Sequence, residues 1–395
     1  PTPRALKGNR ERNSALEYHH MLAFVLALLL QLTAVDDLDR AVERGIADGV
    51  FPGAVVVVGT GHHVLTARGY GHFSWSDESA APSPDSSLFD LASLTKVVAT
   101  TPAVMLLVQE GKLQLDRPVQ AYLPEFTGAG KARVTVRHLL EHRSGLRAFL
   151  PLHERASSAE EARTLVHTEP LRYPPGTRTV YSDLNAMLLG WVVEHVSGES
   201  LDSFVRTRIH LPLGMEQTRY APPRGLRSLT VPVGLWRGHV IAGELHDQNA
   251  VRLGGVSGHA GLYSTGQDLA RFAQMLLRAV EAESTLLRAG VVRHFIRRRA
   301  EGRALGWEMR DTTDTDNTGR LLSPATFGHT GFTGTSLWID PEQDLFVILL
   351  TNRVFAPRTR SSITKLKRIR GEVADAAVRL KRERCAAEGN PTACE

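Results

Sequence analysis

Two blocks of strand-forming residues constrain this chain most, because more than 200 residues separate them. The first, AVVVVGTGHHVLTARGYG, starts at Ala54. It reads as a hairpin in which the runs Ala54–Val58 and Val64–Gly71 flank the turn residues Gly59–Gly61. The second holds three short apolar runs, Ala304–Met309, Thr335–Ile339 and Leu345–Leu350, bounded by Gly, Asp and Pro. Between the blocks, apolar residues recur at helical spacing: Val97, Val98, Met105, Leu106 and Val108, then His138–His142, Asn185–Val196, Leu201–Ile209 and Leu269–Val280. Pro- and Gly-rich loops such as Tyr173–Gly176 and Ala221–Gly225 separate these segments. An amphipathic helix over Asp36–Asp48 precedes the first block. A helix over Ser361–Arg384, with the stripe Ile363, Leu366, Ile369, Val373, Ala377 and Leu380, follows the second. This order predicts an α/β (α+β) fold, in which an antiparallel sheet flanked by helices is split in sequence by an inserted all-helical domain. The boundaries expected are a sheet lobe over 35–90 and 300–384, a helical lobe over 91–299, an N-terminal extension over 1–34 and a tail over 385–395.

Composition removes several alternatives. With 42% hydrophobic residues and both charge signs mixed throughout, the chain is not disordered as a whole. The net charge is 47 − 42 = +5, yet ten basic and three acidic residues between Arg358 and Arg384 place +7 in that segment and leave −2 for the rest. That segment is read as a solvated helix face. Aromatic residues make up only 6%, so no nucleic-acid partner is expected. Both cysteines, Cys385 and Cys394, fall in the last eleven residues, which excludes a cysteine nucleophile or a cysteine-based zinc site in the body. His138 and His142 have a zinc-like spacing but no acidic base directly follows His138, and Gly254, Gly255 and Gly258 lack the lysine of a phosphate loop. No metal or cofactor is expected. The run MLAFVLALLLQLTAV from Met21 is shorter than the roughly 20 apolar residues of a membrane span. Preceded by Arg4, Lys7, Arg10 and Arg12 and with small Ala34 near its end as a cleavage point, it reads as a signal-peptide core. The expectation is an exported protein, periplasmic or secreted, touching a membrane only through this segment if it stays uncleaved.

Three motifs carry chemistry. In FDLASLTKVVAT, Ser93 and Lys96 lie three apart at the start of a helical pattern and so share a face. The amine can reach the hydroxyl, and the helix N-terminus supplies free N–H groups where an oxyanion would form. A buried lysine can shed its proton and act as a base. Taken alone, the pair also fits a capping serine beside an exposed lysine. In YPPGTRTVYSDLNAMLLGWVVE, Tyr181, Ser182 and Asp183 sit on a loop before an apolar helix. There a tyrosine can relay a proton to a leaving group, or Ser182 or Asp183 can simply cap the helix. In FGHTGFTGTSLWIDP, His329, Thr330 and Gly331 begin a strand signature whose edge N–H groups can meet a substrate carbonyl. His246, Asp247 and His259, in the segment 243–265, are read as loop structure, with contact to substrate as the alternative.

In this order and spacing the three motifs resemble the serine β-lactamases of class C type, the D,D-peptidases (penicillin-binding proteins) and their esterase and D-aminopeptidase relatives. VTVRHLLEHRSGL at 134–146, GELHDQNAVRLGGVSGHAGLYST at 243–265 and LFVILLTNR at 345–353 extend the resemblance over about residues 36–380. With GHTGFTGTSLWIDP, the last two look most like the branch near penicillin-binding protein 4B. The resemblance implies that Ser93 is acylated, Lys96 accepts its proton and Tyr181 shuttles the proton to the leaving group. It implies an oxyanion hole from the backbone N–H of Ser93 and Phe332, and substrate contacts from Asp183, His329, Thr330 and Gly331. It further implies a cleft between an α/β domain and an all-helical domain. Two residues depart from the common pattern: His329 stands where many relatives have lysine, and Asp183 where many have asparagine. Both lower the positive charge available to a substrate carboxylate, and Asp183 can pair with Lys96 and hold it charged. Arg358 and Arg360 follow the last strand, near where relatives place a carboxylate-binding arginine, and Arg360 is the expected contact. The function expected is a serine hydrolase acting through an acyl-enzyme on an amide or ester, of D,D-peptidase or esterase type. Its partners would be a small molecule or short peptide, such as peptidoglycan fragments or β-lactams. The alternatives are a catalytically weak penicillin- or peptidoglycan-binding receptor using the same cleft, and a membrane-surface adaptor using the basic C-terminal helix.

Overall fold

The computed structural model describes residues 34–236, 239–281, 284, 286–355 and 362–387. The apolar run from Met21 up to residue 33, Arg358, Arg360 and Cys394 lie outside the described residues.

The main sheet has six strands in the order β2–β1–β11–β10–β9–β8. These are β1 Gly53–Gly59, β2 Val64–Gly71, β8 Glu308–Met309, β9 Phe327–Thr330, β10 Ser336–Asp340 and β11 Leu345–Thr351. Every neighbouring pair is antiparallel. The two blocks join along the β1–β11 seam, where Val56 lies opposite Leu349. Side chains alternate across this seam with period two. Ala54, Val56, Val58, Val347 and Leu349 pack into one layer with Leu38 and Val42 of helix 34–47 and Leu366, Ile369 and Val373 of helix Ile363–Ala387. Val55, Val57, Phe346, Ile348 and Leu350 face the other layer, where helix Gly266–Glu281 presents Leu269, Phe272, Ala273 and Leu276. Both faces being covered, β1 and β11 are buried along their whole length, which is why they read as continuous apolar runs.

Among the described residues, five shorter strands lie between the two blocks: β3 Phe89–Asp90, β4 Arg219–Tyr220, β5 Gly234–Trp236, β6 His239–Ile241 and β7 Leu262–Ser264. They form sheets of order β3–β7–β4 and β5–β6. None stands out by sequence pattern, since each is two or three residues long. The segment 243–265 contains helix Gln248–Arg252 and β7 as well as loop.

Two strand expectations are corrected. His329 and Thr330 end β9, and Gly331–Thr335 is a turn into β10. Of the run Ala304–Met309, only Glu308 and Met309 pair in the sheet. Gly306, at φ 83°, turns the chain, and its N–H donates to the Leu140 carbonyl at 3.0 Å. Ala304, Leu305 and Trp307 are buried as a plug, so the apolar content marked burial rather than strand pairing.

Candidate active site

Ser93 sits one residue after a strained turn. Ala92 has φ 46°, a left-handed conformation unusual for a side chain with a Cβ, and its N–H donates to the Asp90 Oδ1 at 2.9 Å. The other Asp90 oxygen accepts the His246 N–H at 3.0 Å, so one buried carboxylate ties the nucleophile turn to the 243–265 segment. Burial pushes Asp90 up to about 6, against the pull of these two N–H donors. Ala92–Leu94 is a single 3₁₀ turn, followed by a π turn Lys96–Thr100 and the α-helix Thr101–Gln109. The nucleophile thus stands, half-buried, at the start of a helix whose body is apolar and buried.

Lys96 is 3% exposed, and its ammonium has three partners. Nζ donates to Ser93 Oγ at 2.9 Å and to the His259 carbonyl at 3.0 Å, and lies 2.8 Å from Asp183 Oδ1. Burial disfavours the charge, but Asp183, then Tyr181, outweigh it and hold Lys96 above the ordinary lysine range. In the resting site Lys96 is therefore an ammonium, as the Asp183 departure implied. The Tyr181 hydroxyl donates to Ser93 Oγ at 2.9 Å. Its ring is packed between His142, 4.8 Å away, and His329, 5.6 Å away between centroids. The N–H of Ser182 donates to His142 Nδ1 at 3.1 Å, which fixes the loop that delivers the phenol.

The opposite wall is the β9–β10 turn, latched onto the nucleophile turn from about 240 residues away in sequence. Thr333 Oγ1 donates to the Asp90 carbonyl at 2.7 Å, and Thr335 Oγ1 to the Leu91 carbonyl at 3.1 Å. Gly331 is required at this contact: a Cβ there would lie 2.6 Å from the Leu91 carbonyl oxygen. The Gly331 carbonyl accepts from Gly334 N–H at 3.1 Å and from Arg370 Nη2 at 3.2 Å. Arg370, buried on the C-terminal helix, also donates to the Thr335 carbonyl at 2.8 Å. Because C=O and N–H point opposite ways in a trans peptide, anchoring the Gly331 carbonyl aims the Phe332 N–H away from Arg370, on the side required of an oxyanion donor.

Two cavities meet at Ser93 and Tyr181. One, of about 420 Å³, is lined by Phe149, His153, Asp183, Asp247, Asn249 and Phe332 among others. The second, of about 310 Å³, is lined by Arg303, Glu308, His329, Thr330, Gly331 and Arg370. Burial, then Arg303 and Lys96, push His329 well below the ordinary histidine range, so it is neutral. Its Nδ1 donates to the Thr330 carbonyl at 2.7 Å, leaving the buried Nε2 without a hydrogen-bond partner in the cavity wall. The positive charge missing at His329 is supplied instead by Arg303, whose guanidinium carbon lies 5.2 Å from the Tyr181 ring centre and whose Nη1 has no hydrogen-bond partner among the described residues.

The structure thus brings Ser93, Lys96, Tyr181, Asp183, His329, Thr330, Gly331 and Phe332 together. Arg360 lies outside the described residues. Asp90, Arg303 and Arg370 escaped the sequence reading. None sits in a local pattern, and only FD before the nucleophile motif hinted at the first.

Fold and site define a serine hydrolase that works through an acyl-enzyme. The chain belongs to the β-lactamase family: the family model described as Beta-lactamase matches residues 38–371. An N-acetylmuramyl-L-alanine amidase of Bacillus subtilis (strain 168) is 34% identical over 357 residues, covering 81% of each chain. An Escherichia coli (strain K12) protein, provisionally named a D-alanyl-D-alanine carboxypeptidase, is 30% identical over 361 residues, 82% of this chain and 83% of that one. Among solved structures, EstCE1, a hydrolase with promiscuous acyltransferase activity, shares the fold with a TM-score of 0.72 at 21% identity, covering 88% of this chain and 99% of that one.

Proposed function

We propose that the protein is a peptidase for short peptides ending in a free carboxylate, peptidoglycan fragments being the expected source. Simple esters are secondary acyl donors, and β-lactams are acylating agents turned over slowly. The observation that carries this reading is one hydroxyl, Ser93 Oγ, 2.9 Å from both Lys96 Nζ and Tyr181 Oη, with a cavity on each side. The charged resting state of Lys96 sets the proton route. As Ser93 Oγ bonds to the substrate carbonyl carbon, its proton passes to Lys96 while Lys96 gives one to Asp183. The two groups end as neutral acid and ammonium, and the N–H groups of Ser93 and Phe332 hold the oxyanion. When the C–N bond breaks, Tyr181 protonates the amine and is refilled through Lys96 from Asp183. Water then repeats the sequence on the ester and frees Ser93.

On the leaving-group side, Arg303 and Thr330 support recognition of a carboxylate. The names of the amidase and carboxypeptidase relatives support a cell-wall peptide substrate. The apolar run from Met21 supports work outside the cytoplasm, which fractionation of cells expressing the full chain tests. The Lys96–Asp183 pair also favours a second reading, a receptor that is acylated but deacylates slowly. Intact-mass spectrometry combined with product assays (amine from a carboxylate-ended peptide and its C-terminal amide, thiol from a short thioester, ring-opened acid from a penicillin) separates the two. The enzyme reading expects turnover of the carboxylate peptide ahead of its amide, a transient adduct at Ser93, and neither in Ser93→Ala. A stable adduct without turnover supports the receptor, and folded protein with no adduct from any donor contradicts both.

A further inference from the structure

The 420 Å³ cavity differs from its neighbour in what it offers a ligand. Asp247 forms part of its wall, its side chain 30% exposed. Two donors reach this carboxylate, the Ala250 N–H at 2.8 Å and His259 Nε2 at 3.2 Å, and both fall on Oδ1. Burial opposes ionisation of Asp247, but His259, the Ala250 N–H and the charge of Lys96 outweigh it and hold the group below the ordinary carboxylate range, while Oδ2 has no protein partner among the described residues. The other charges nearby are committed: Lys96 and Asp183 pair with each other, and Arg353 donates to the Phe332 carbonyl at 2.6 Å with its guanidinium 4.7 Å from the Phe332 ring centre. Burial keeps His246 neutral at physiological pH.

A second feature of the same cavity points the same way. Phe149, on its lining, is 49% exposed and offers its ring to the cavity, whereas the Phe332 ring already packs against Arg353 and His246. An aromatic ring beside a carboxylate oxygen that no protein donor reaches suits an ammonium group.

We propose that this cavity binds an acyl group bearing a free amine, with Asp247 as its counter-charge. The preferred substrate then carries an amine on the acyl side and a carboxylate on the leaving-group side of the scissile bond. This rests on Ser93 being the acylated residue, as set out above. It assigns Asp247 the role of specificity determinant.

The test compares two thioesters that share one leaving group, an aminoacyl donor and its N-acetyl counterpart, with wild-type protein and with Asp247→Asn. The amide oxygen of asparagine can still cap the Gln248–Arg252 helix. The wild type is expected to favour the free amine by about 10- to 100-fold in kcat/KM, as a charge-assisted contact gives. In Asp247→Asn the ratio is expected to fall near one, and raised salt is expected to shrink the wild-type preference. Equal use of both donors by the wild type overturns the proposal without any variant, and so does a preference that survives in folded Asp247→Asn. A Ser93 adduct from the N-acetyl donor leaves the acyl-enzyme reading standing in either case. No adduct from either donor removes both readings.

Discussion

The cavities on the two sides of Ser93 are built differently. The leaving-group side rests on the sheet: β9 and its turn are pinned to the nucleophile segment by Thr333 and Thr335, and Arg370 reaches two carbonyls of the same turn from the C-terminal helix. The acyl side is made mainly of loop and short helix, held by side-chain hydrogen bonds between loops rather than by a sheet. Asp90 holds His246 N–H, Asn249 donates to the Leu150 carbonyl at 2.8 Å, and the Tyr263 hydroxyl donates to the Glu244 carbonyl at 2.7 Å. A site arranged in this way fixes the transition state on its rigid side and leaves the choice of acyl group to residues that can change without disturbing the sheet.

Several substitutions break or sharpen this contrast. Lys96→Ala removes the centre common to both sides, so kcat/KM is expected to drop by about 10³- to 10⁴-fold for every donor. A variant that spared esters would show that the two sides do not share one proton route. Arg370→Met removes the anchor of the Gly331 carbonyl, and a fall of about 100-fold in kcat with little change in KM is expected for all donors. A thermal melt run alongside separates this from unfolding. Arg303→Met belongs to one side only. It is expected to cost about 10- to 100-fold in kcat/KM for carboxylate-ended peptides and almost nothing for their amides.

The smallest effect expected is that of pH on Asp90. Its folded pKa of about 6 lies above the ordinary 3.8, so between these values the folded state binds more protons than the unfolded one. Stability contributed by Asp90 therefore falls as pH rises through that window. Activity is expected to move the other way by a few-fold, because only the carboxylate accepts both the Ala92 and His246 N–H groups. Denaturation midpoints and rates measured from pH 4.5 to 7.5 check both signs; parallel trends would remove Asp90 from the support of the nucleophile turn.

Much of this was legible in the sequence because some features are local. Ser93 and Lys96 share one helical turn, β1 and β11 are unbroken apolar runs, and Tyr181 and Asp183 stand at a helix start. Arg303 and Arg370 were not legible, since one lies in a loop after Gly302 and the other reads as one more basic residue on a charged helix. Their roles arise only when the chain folds β9 against the nucleophile turn. The same holds for β9 itself, where the motif His329–Gly331 straddles a strand end and a turn rather than opening a strand.

The most direct measurement is the structure of an acyl-enzyme trapped with a slowly hydrolysed amine-bearing acyl donor. The expected result is the acyl carbon on Ser93 Oγ, its carbonyl oxygen between the N–H groups of Ser93 and Phe332, and the amine near Asp247 and Phe149, with the Arg303 cavity vacated by the leaving group. An acyl chain lying toward Arg303 instead, or an adduct on another residue, would contradict it.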